Sequence, residues 1–232
     1  DKLQSARCEL EHAVRMRDDF MSIVSHEVRT PLNGLILETQ LRKLNLARGN
    51  LEAFSEEKLK AMVERDERQI NSLIRLIEDM LDVSRIRTGK LSLRPKLFDL
   101  SQLVKGLVEN FTAQAIALDT RIDLHCDGCL AGEWDEFRIE QVLANLLSNA
   151  LRYGERKPVH VRVFELDGMA CVQVQDNGIG IGAANQQRIF QQFERVSNHK
   201  ATGGLGLGLY ISEQIVQAHC GRILVESEEG QG

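Results

Sequence analysis

The sequence predicts an α plus α/β chain, an antiparallel helical hairpin followed by an α/β sandwich, and two observations carry that prediction. Residues Leu59, Val63, Asp66, Ile70, Leu73, Ile77, Met80 and Ser84 step alternately by four and three, the period of a helix with one apolar seam. Beyond residue 97 the pattern changes to short alternating runs mixed with helical ones.

Along the chain, Leu3, Leu10, Val14 and Met21 are spaced as in a coiled coil over residues 1–20, leading into a first hairpin helix that runs to Leu44. Pro31 removes a backbone donor inside it and predicts a bend. Gly49 and Asn50 mark the turn, and the second helix spans 56–88 with Gly89 as its C-cap. A lone hairpin leaves its seam half exposed, so two copies are expected to pair into a dimeric four-helix bundle.

Residues 91–97, with Pro95, form a linker between a hairpin domain at 21–90 and a second domain at 98–232. There Ser101 is expected to cap a helix through Ala117. Strands are expected at 121–126, at 159–166 and 169–176 around the turn Asp167-Gly168, and at 222–227. Helices are expected at 135–153, 186–193 and 207–219, with a glycine-rich, lid-like segment over 177–206.

A net charge of −5 without a basic tract argues against a nucleic-acid surface, and no apolar run approaches a bilayer span. The five cysteines are odd in number, which favours a reducing compartment over a disulfide framework. Cys126 and Cys129 have CxxC spacing but lack a second ligand pair, so they are expected to be a strand end and turn.

His26 gives the chain its chemistry. At about 100° per residue, Met21, Val24, Val28, Leu32 and Leu35 share one stripe and His26 points about 160° away, toward water. Thr30 and Asn33 lie near its face, and Glu27 beside it can accept an imidazole proton during attack on phosphorus. Taken alone, such a histidine reads as an ordinary solvated residue.

It is accompanied by four blocks in order: Asn145-Leu-Leu-Ser-Asn149-Ala-Leu-Arg152-Tyr153, Asp176-Asn-Gly178-Ile-Gly180, Phe190-Gln-Gln-Phe193, and Gly204-Leu-Gly206-Leu-Gly208. With the His26 segment, these resemble the sensor histidine kinases of two-component systems, which join a dimerisation and phosphotransfer domain to a gyrase-like ATP-binding domain. The resemblance implies that ATP phosphorylates His26, with Glu27 as general base, and that the phosphoryl group passes to an aspartate of a response-regulator receiver domain, separate or fused. It further implies Thr30 as the residue that orients water for receiver dephosphorylation and Arg195 as a lid cation for the γ-phosphate.

For the nucleotide, it implies Asn149 as ligand of Mg²⁺, a hard cation suited to an amide oxygen. Asn145 stands where gyrase-type ATPases carry a catalytic glutamate, and an amide cannot activate water, which favours transfer over hydrolysis. Arg152 is expected on phosphate oxygens, Tyr153 on the adenine face, and Asp176 on the adenine amine. Gly178 and Gly180 are expected to allow close approach beside the base, and Gly204, Gly206 and Gly208 to lead into a phosphate-binding helix N-terminus. Phe190 and Phe193 fit lid packing, and Leu205 lacks the hydroxyl often found between these glycines. The family continues into one further strand after Gly232. The kinase core is expected in the cytoplasm of a parent protein with an upstream sensor, an inner-membrane anchor remaining open. A gyrase-like ATPase clamp predicts a glutamate at 145, and a regulatory pseudokinase predicts a damaged pocket; neither is seen.

Overall fold

The computed structural model describes residues 2–194 and 205–232. They form two packed units, one reaching to Leu81 and the other beginning at Asp82. No helix among the described residues is long and apolar enough to cross a membrane.

The first unit is a helical hairpin of α1 (Lys2–Ala47) and α2 (Glu56–Arg87), joined through a 3-10 turn at Leu51–Phe54. Helix α1 ends where Gly49 takes φ +65°, with its N–H on the Leu46 carbonyl and the Asn50 N–H on that of Asn45. These two bonds satisfy carbonyls that the helix end would otherwise leave bare. Gly89, φ +63°, ends α2 in the same way, with bonds from Gly89 to Ile86 and from Lys90 to Arg85. Three contacts show that the arms run antiparallel: Arg42 grips Asp66 with two hydrogen bonds of 2.6 and 2.8 Å, Arg65 pairs with Glu38, and Gly34 faces Gln69. Helix α1 passes Pro31 without a break. The side chains of Leu3, Leu10 and Val14, the basis of the coiled-coil expectation, lie outside the described residues.

The single seam expected of each helix divides into two faces. Asp66, Leu73 and Met80 of α2 are half-buried, as are Val28 and Leu35 of α1, with Val24 buried. Leu59, Val63, Ile70 and Ile77 are exposed, with Ile74, Leu81, Leu32 and Leu41. An apolar arc wider than one helix contact serves two contacts, one with the other arm and one outward.

The second unit is an α/β sandwich. A three-stranded sheet holds β2 (Ile122–Cys126) parallel to β4 (Val159–Leu166), which is antiparallel to β5 (Met169–Gln175). Asp167 and Gly168 turn the β4–β5 hairpin at φ +52° and +75°, both left-handed, as a two-residue type I′ loop requires. A second ribbon pairs β1 (Lys96–Asp99) with β3 (Ala131–Trp134). Helices α3 (Leu100–Ala117) and α4 (Glu136–Tyr153) pack Val104, Leu107, Leu143, Leu147 and Leu151 against Val159, Val161 and Val163. A short helix α5 (Ala183–Gln186) and α6 (Gly208–Ala218) complete the unit.

Asp135 fixes the entry of α4 twice over. Its Oδ1 accepts the Arg138 N–H at 3.2 Å, capping the helix, and its Oδ2 accepts the Arg94 N–H at 2.8 Å. The Asp135 N–H donates to His219 Nε2 at 3.0 Å, while His219 Nδ1 meets the Ile215 carbonyl, which ties the end of α6 to the start of α4.

Four expectations are corrected. The cap of α3 is Asp99, which accepts the Ser101 N–H at 2.9 Å, while the Ser101 hydroxyl donates to the Gly128 carbonyl at 2.6 Å. Strand β1 begins inside the expected linker and β3 lies where no element was expected, because four-residue strands leave almost no alternation to read. Residues 186–193 are not one helix: α5 ends at Gln186, a 3-10 turn covers Arg188–Phe190, and Phe193 is left-handed at φ +67°. Residues 222–227 alternate in burial but join no strand ladder, since alternation specifies a face and not a partner.

The Arg42 hydrogen bond holds the Asp66 carboxyl below its ordinary 3.8, against the opposing effect of burial. A depressed carboxylate contributes stability that is complete above its unfolded value and lost as pH falls through the folded one. Asp66→Asn is therefore expected to cost about 1 kcal/mol in chemical denaturation at neutral pH. That difference from wild type should vanish in acid below the folded value.

Candidate functional site

In the first unit, His26 lies on α1 with its side chain 77% exposed, and its Nδ1 is 3.5 Å from Glu27 Oε1. Burial of Val24, Val28 and Pro31 on the inner face sends His26 outward, as the helical angle predicts. Glu27 is only 20% exposed, so a carboxylate of restricted freedom borders a freely accessible ring. The Thr30 hydroxyl donates to the His26 carbonyl at 3.1 Å, one turn back. That bond anchors Thr30 on the face of His26 just before Pro31, whose missing N–H leaves the Glu27 carbonyl without its helical donor.

In the second unit, α4 is the spine of the site. Leu143, Leu147 and Leu151 turn to the sheet, and at about 100° per residue Asn145 and Asn149 point roughly to the opposite side. Asn145 Nδ2 donates to Ser212 Oγ of α6 at 3.0 Å. Its Oδ1 stands so near Gly208 that a Cβ there would come within 2.3 Å. Glycine at the first residue of α6 is what lets the two helices meet. Among the described residues no side chain caps α6, whose N-cap is Leu207, so its first N–H groups can serve an anion.

The loop after β5 is pinned to the other end of α4. Asp176 Oδ1 accepts the Gly178 N–H at 2.9 Å, and the Ile179 N–H donates to the Tyr153 carbonyl at 3.2 Å. A Cβ on Gly178 would lie 1.9 Å from the Tyr153 carbonyl oxygen, and one on Gly180, at φ +64°, 1.9 Å from that of Glu228. Both glycines thus serve close backbone packing, where the sequence suggested only an approach beside a base. Lys157 Nζ donates to the Asn177 carbonyl at 2.7 Å, and the Ser227 hydroxyl accepts the Ile181 N–H at 2.8 Å.

The structure therefore brings Asn145 to Gly208, and Tyr153 to Gly178 and Asp176, at two stations on one helix about 12 Å apart. Asn149 lies between them, half-buried, and Arg152 is exposed. Gly206, φ +67°, accepts the Phe193 N–H on its carbonyl. Phe190 and Phe193 are half-buried. Arg195 and Gly204 lie outside the described residues. Sequence reasoning missed Ser212 and Lys157. Ser212 carries the signal of a small polar residue one turn after Gly208; Lys157 carries none.

No cluster of three or more acidic, histidine or cysteine ligands is found among the described residues. Cys126 and Cys129 are free thiols. Burial raises the first, and the Cys129 hydrogen bond to Asp99 raises the second, so neither is poised as a thiolate.

Residues 134–232 match the family model described as histidine kinase-, DNA gyrase B- and HSP90-like ATPase, and residues 16–89 match the His Kinase A (phospho-acceptor) domain. The chain is 35% identical over 225 residues to the circadian input-output histidine kinase CikA of Synechococcus elongatus, covering 93% of this chain and 29% of that protein. It is 34% identical over 220 residues to the alginate biosynthesis sensor protein KinB of Pseudomonas aeruginosa, covering 94% and 36%. It thus spans about a third of the length of these two relatives. The solved structure of the Acinetobacter baumannii histidine kinase AdeS superimposes with a TM-score of 0.61 at 25% identity, covering 83% of this chain and 86% of that one.

Gly178→Ala is expected to lower stability by about 1–3 kcal/mol, because the new methyl would collide with the Tyr153–Gly154 backbone at the end of α4. Thermal melting measures the loss, and a nucleotide titration of the folded fraction should show weakened binding.

Proposed function

We propose, from the premise that this chain belongs to the sensor histidine kinases, that it is a kinase core in which ATP bound by the second unit phosphorylates His26 of the first. The observation that carries the reading is the His26 ring itself, open to solvent and bordered by Glu27, within the segment matched to phospho-acceptor domains. A ring nitrogen of the imidazole attacks the γ-phosphorus as the bond to the β,γ-bridging oxygen breaks and ADP leaves, and Glu27 takes the ring proton. An exposed ring can meet first a nucleotide and then a receiver aspartate, which a buried histidine could not.

The ATPase-type domain uses ATP. Asp176 accepts the adenine amine, with its Oδ1 already aligned by Gly178, and Tyr153 covers the ring. Arg152 meets phosphate oxygens, Arg195 is the lid cation, and Gly204, Gly206 and Gly208 bring the backbone to the triphosphate. Asn149 is the protein ligand of Mg²⁺, which neutralises phosphate charge when bound. Asn145 holds α4 to α6 through Ser212 and offers no base for water, which favours transfer over hydrolysis.

The domains are assigned as a signalling helix at 1–20, a dimerisation and phosphotransfer domain at 21–90, a linker at 91–97 and an ATP-binding domain at 98–232. The outward apolar row of α2, with Leu59, Val63, Ile70, Ile74, Ile77 and Leu81, supports a homodimer closed into a four-helix bundle. The further partners are a response-regulator receiver and an upstream sensor domain, and the core works in the cytoplasm.

His26→Gln should abolish self-labelling by γ-labelled ATP while nucleotide affinity stays within about threefold of wild type, because the acceptor is not part of the pocket. The wild-type label should be base-stable and acid-labile; strong labelling of the variant rules the assignment out.

Thr30→Ala tests the second activity. Its hydroxyl is positioned beside His26 but is not needed for attack by the ring, so self-labelling should persist while dephosphorylation of the cognate receiver slows. Equal receiver dephosphorylation by wild type and variant, with the wild type active, removes Thr30 from that role and leaves the kinase intact.

A further inference from the structure

The loop after β5 carries Asp176, and it is placed by bonds to its backbone. Asp176 Oδ1 accepts the Gly178 N–H at 2.9 Å, so the carboxylate goes where Gly178 goes. At Ile179 the loop is held by backbone on both sides: its N–H donates to the Tyr153 carbonyl at 3.2 Å, and its carbonyl accepts the Gly230 N–H at 2.8 Å. At Ile181 two side chains take over that task. The Ser227 hydroxyl accepts the Ile181 N–H at 2.8 Å, and Gln186 Nε2 donates to the Ile181 carbonyl at 3.1 Å.

Both side chains are used twice. The Ser227 hydroxyl also donates to the Gly232 carbonyl at 2.7 Å, and Gln186 Nε2 donates again to the Ser227 carbonyl at 2.7 Å. One oxygen that both accepts and donates calls for a hydroxyl, and one nitrogen that serves two carbonyls calls for a primary amide. All four bonds lie partly out of water, so solvent does not simply replace one that is lost. The turn they close is seated on the loop: a Cβ on Gly232 would lie 2.2 Å from the Asp176 carbonyl oxygen. Residues 222–227 join no strand ladder among the described residues, and the two side chains supply the bonds that a ladder would.

We propose that Ser227 and Gln186 position the base-reading loop and thereby set the preference for ATP over GTP. The inference rests on the reading of Asp176 as acceptor of the adenine amine. Guanine carries a carbonyl oxygen where adenine carries that amine, so a carboxylate fixed in place accepts from the one and repels the other. Such discrimination needs a polar group that cannot turn away from the wrong base. Once the loop relaxes, the bond to adenine weakens and the carboxylate can withdraw from guanine, so the advantage of ATP shrinks from both sides. Ser227 Oγ and Gln186 Nε2 are spent on backbone, which makes these positioning residues that act through the loop.

The test compares Ser227→Ala, Gln186→Glu and Ser227→Thr in the full chain, with ATP and GTP as probes. Gln186→Glu keeps the shape but sets an acceptor against two carbonyls, and Ser227→Thr keeps the hydroxyl. Competition titrations should show ATP binding weakened about fivefold or more in the first two variants and GTP binding within about twofold of wild type. The self-labelling KM for ATP should rise in step while kcat stays within about twofold, and amide exchange over residues 177–182 should speed up. Ser227→Thr should stay near wild type on every count. Where either of the first two variants does not fold, Gln186→Met, which removes the donors without adding charge, carries the same expectation. A lowered melting temperature with an unchanged ATP-to-GTP ratio overturns the positioning role, as does a loss of preference in Ser227→Thr equal to that in Ser227→Ala. A wild-type chain that shows no preference for ATP defeats the reading of Asp176 instead, and the selectivity role falls with it.

Discussion

The apolar contact of α4 with the sheet is the constraint on which the second unit depends. Leu143, Leu147, Ala150 and Leu151 are drawn from water against Val159, Val161 and Val163, a burial worth about 1.5–3 kcal/mol for each large side chain. Because a helix is rigid over this length, fixing one face fixes the other. Asn145, Asn149 and Tyr153 are thereby presented on the face opposite the sheet, toward the glycine loops. Asp135 sets where α4 begins, and the bonds to Arg94 and His219 bring the linker and α6 to the same point. The chemistry of the site is thus held by a hydrophobic contact on its far side.

Close approach is the second recurring theme. Gly208 and Gly178 are needed where backbone or an amide oxygen occupies the place of a side chain, one at each end of the α4 face. They convert separate elements into a single surface with an anion-ready helix N-terminus at one station and the Asp176 carboxylate at the other. The first unit solves a different problem. Its hairpin closes an inner face with the Arg42–Asp66 bond, while the outer leucines and isoleucines remain in water. The inner contact joins apolar packing to the specific Arg42–Asp66 pair that fixes the pairing of the arms, and the outer row is apolar.

Much of this was legible in the sequence. The two hairpin helices, the outward direction of His26, the left-handed Asp167-Gly168 turn and the glycine C-caps follow from period and backbone sterics, which act within a few residues. The five motif blocks identified the family, because they are read from residue type and order alone. Short strands were lost because four residues carry too little alternation, and Asp99 displaced Ser101 as a cap because both are good caps and only the position of the Gly128 carbonyl separates them.

The sequence by itself determined which family the motif blocks belong to and which helix faces are apolar, since both are properties of residue type and spacing. Only the tertiary structure decided which partner each face meets. It divided the seam of α2 into inner and outer rows, and left 222–227 outside any ladder. It also spent Asn145 on Ser212 and set Asp82 against Arg138 across 56 residues of sequence. The physical reason is that hydrogen bonds and packing depend on distance in space, and no spacing along the chain specifies which distant donor arrives.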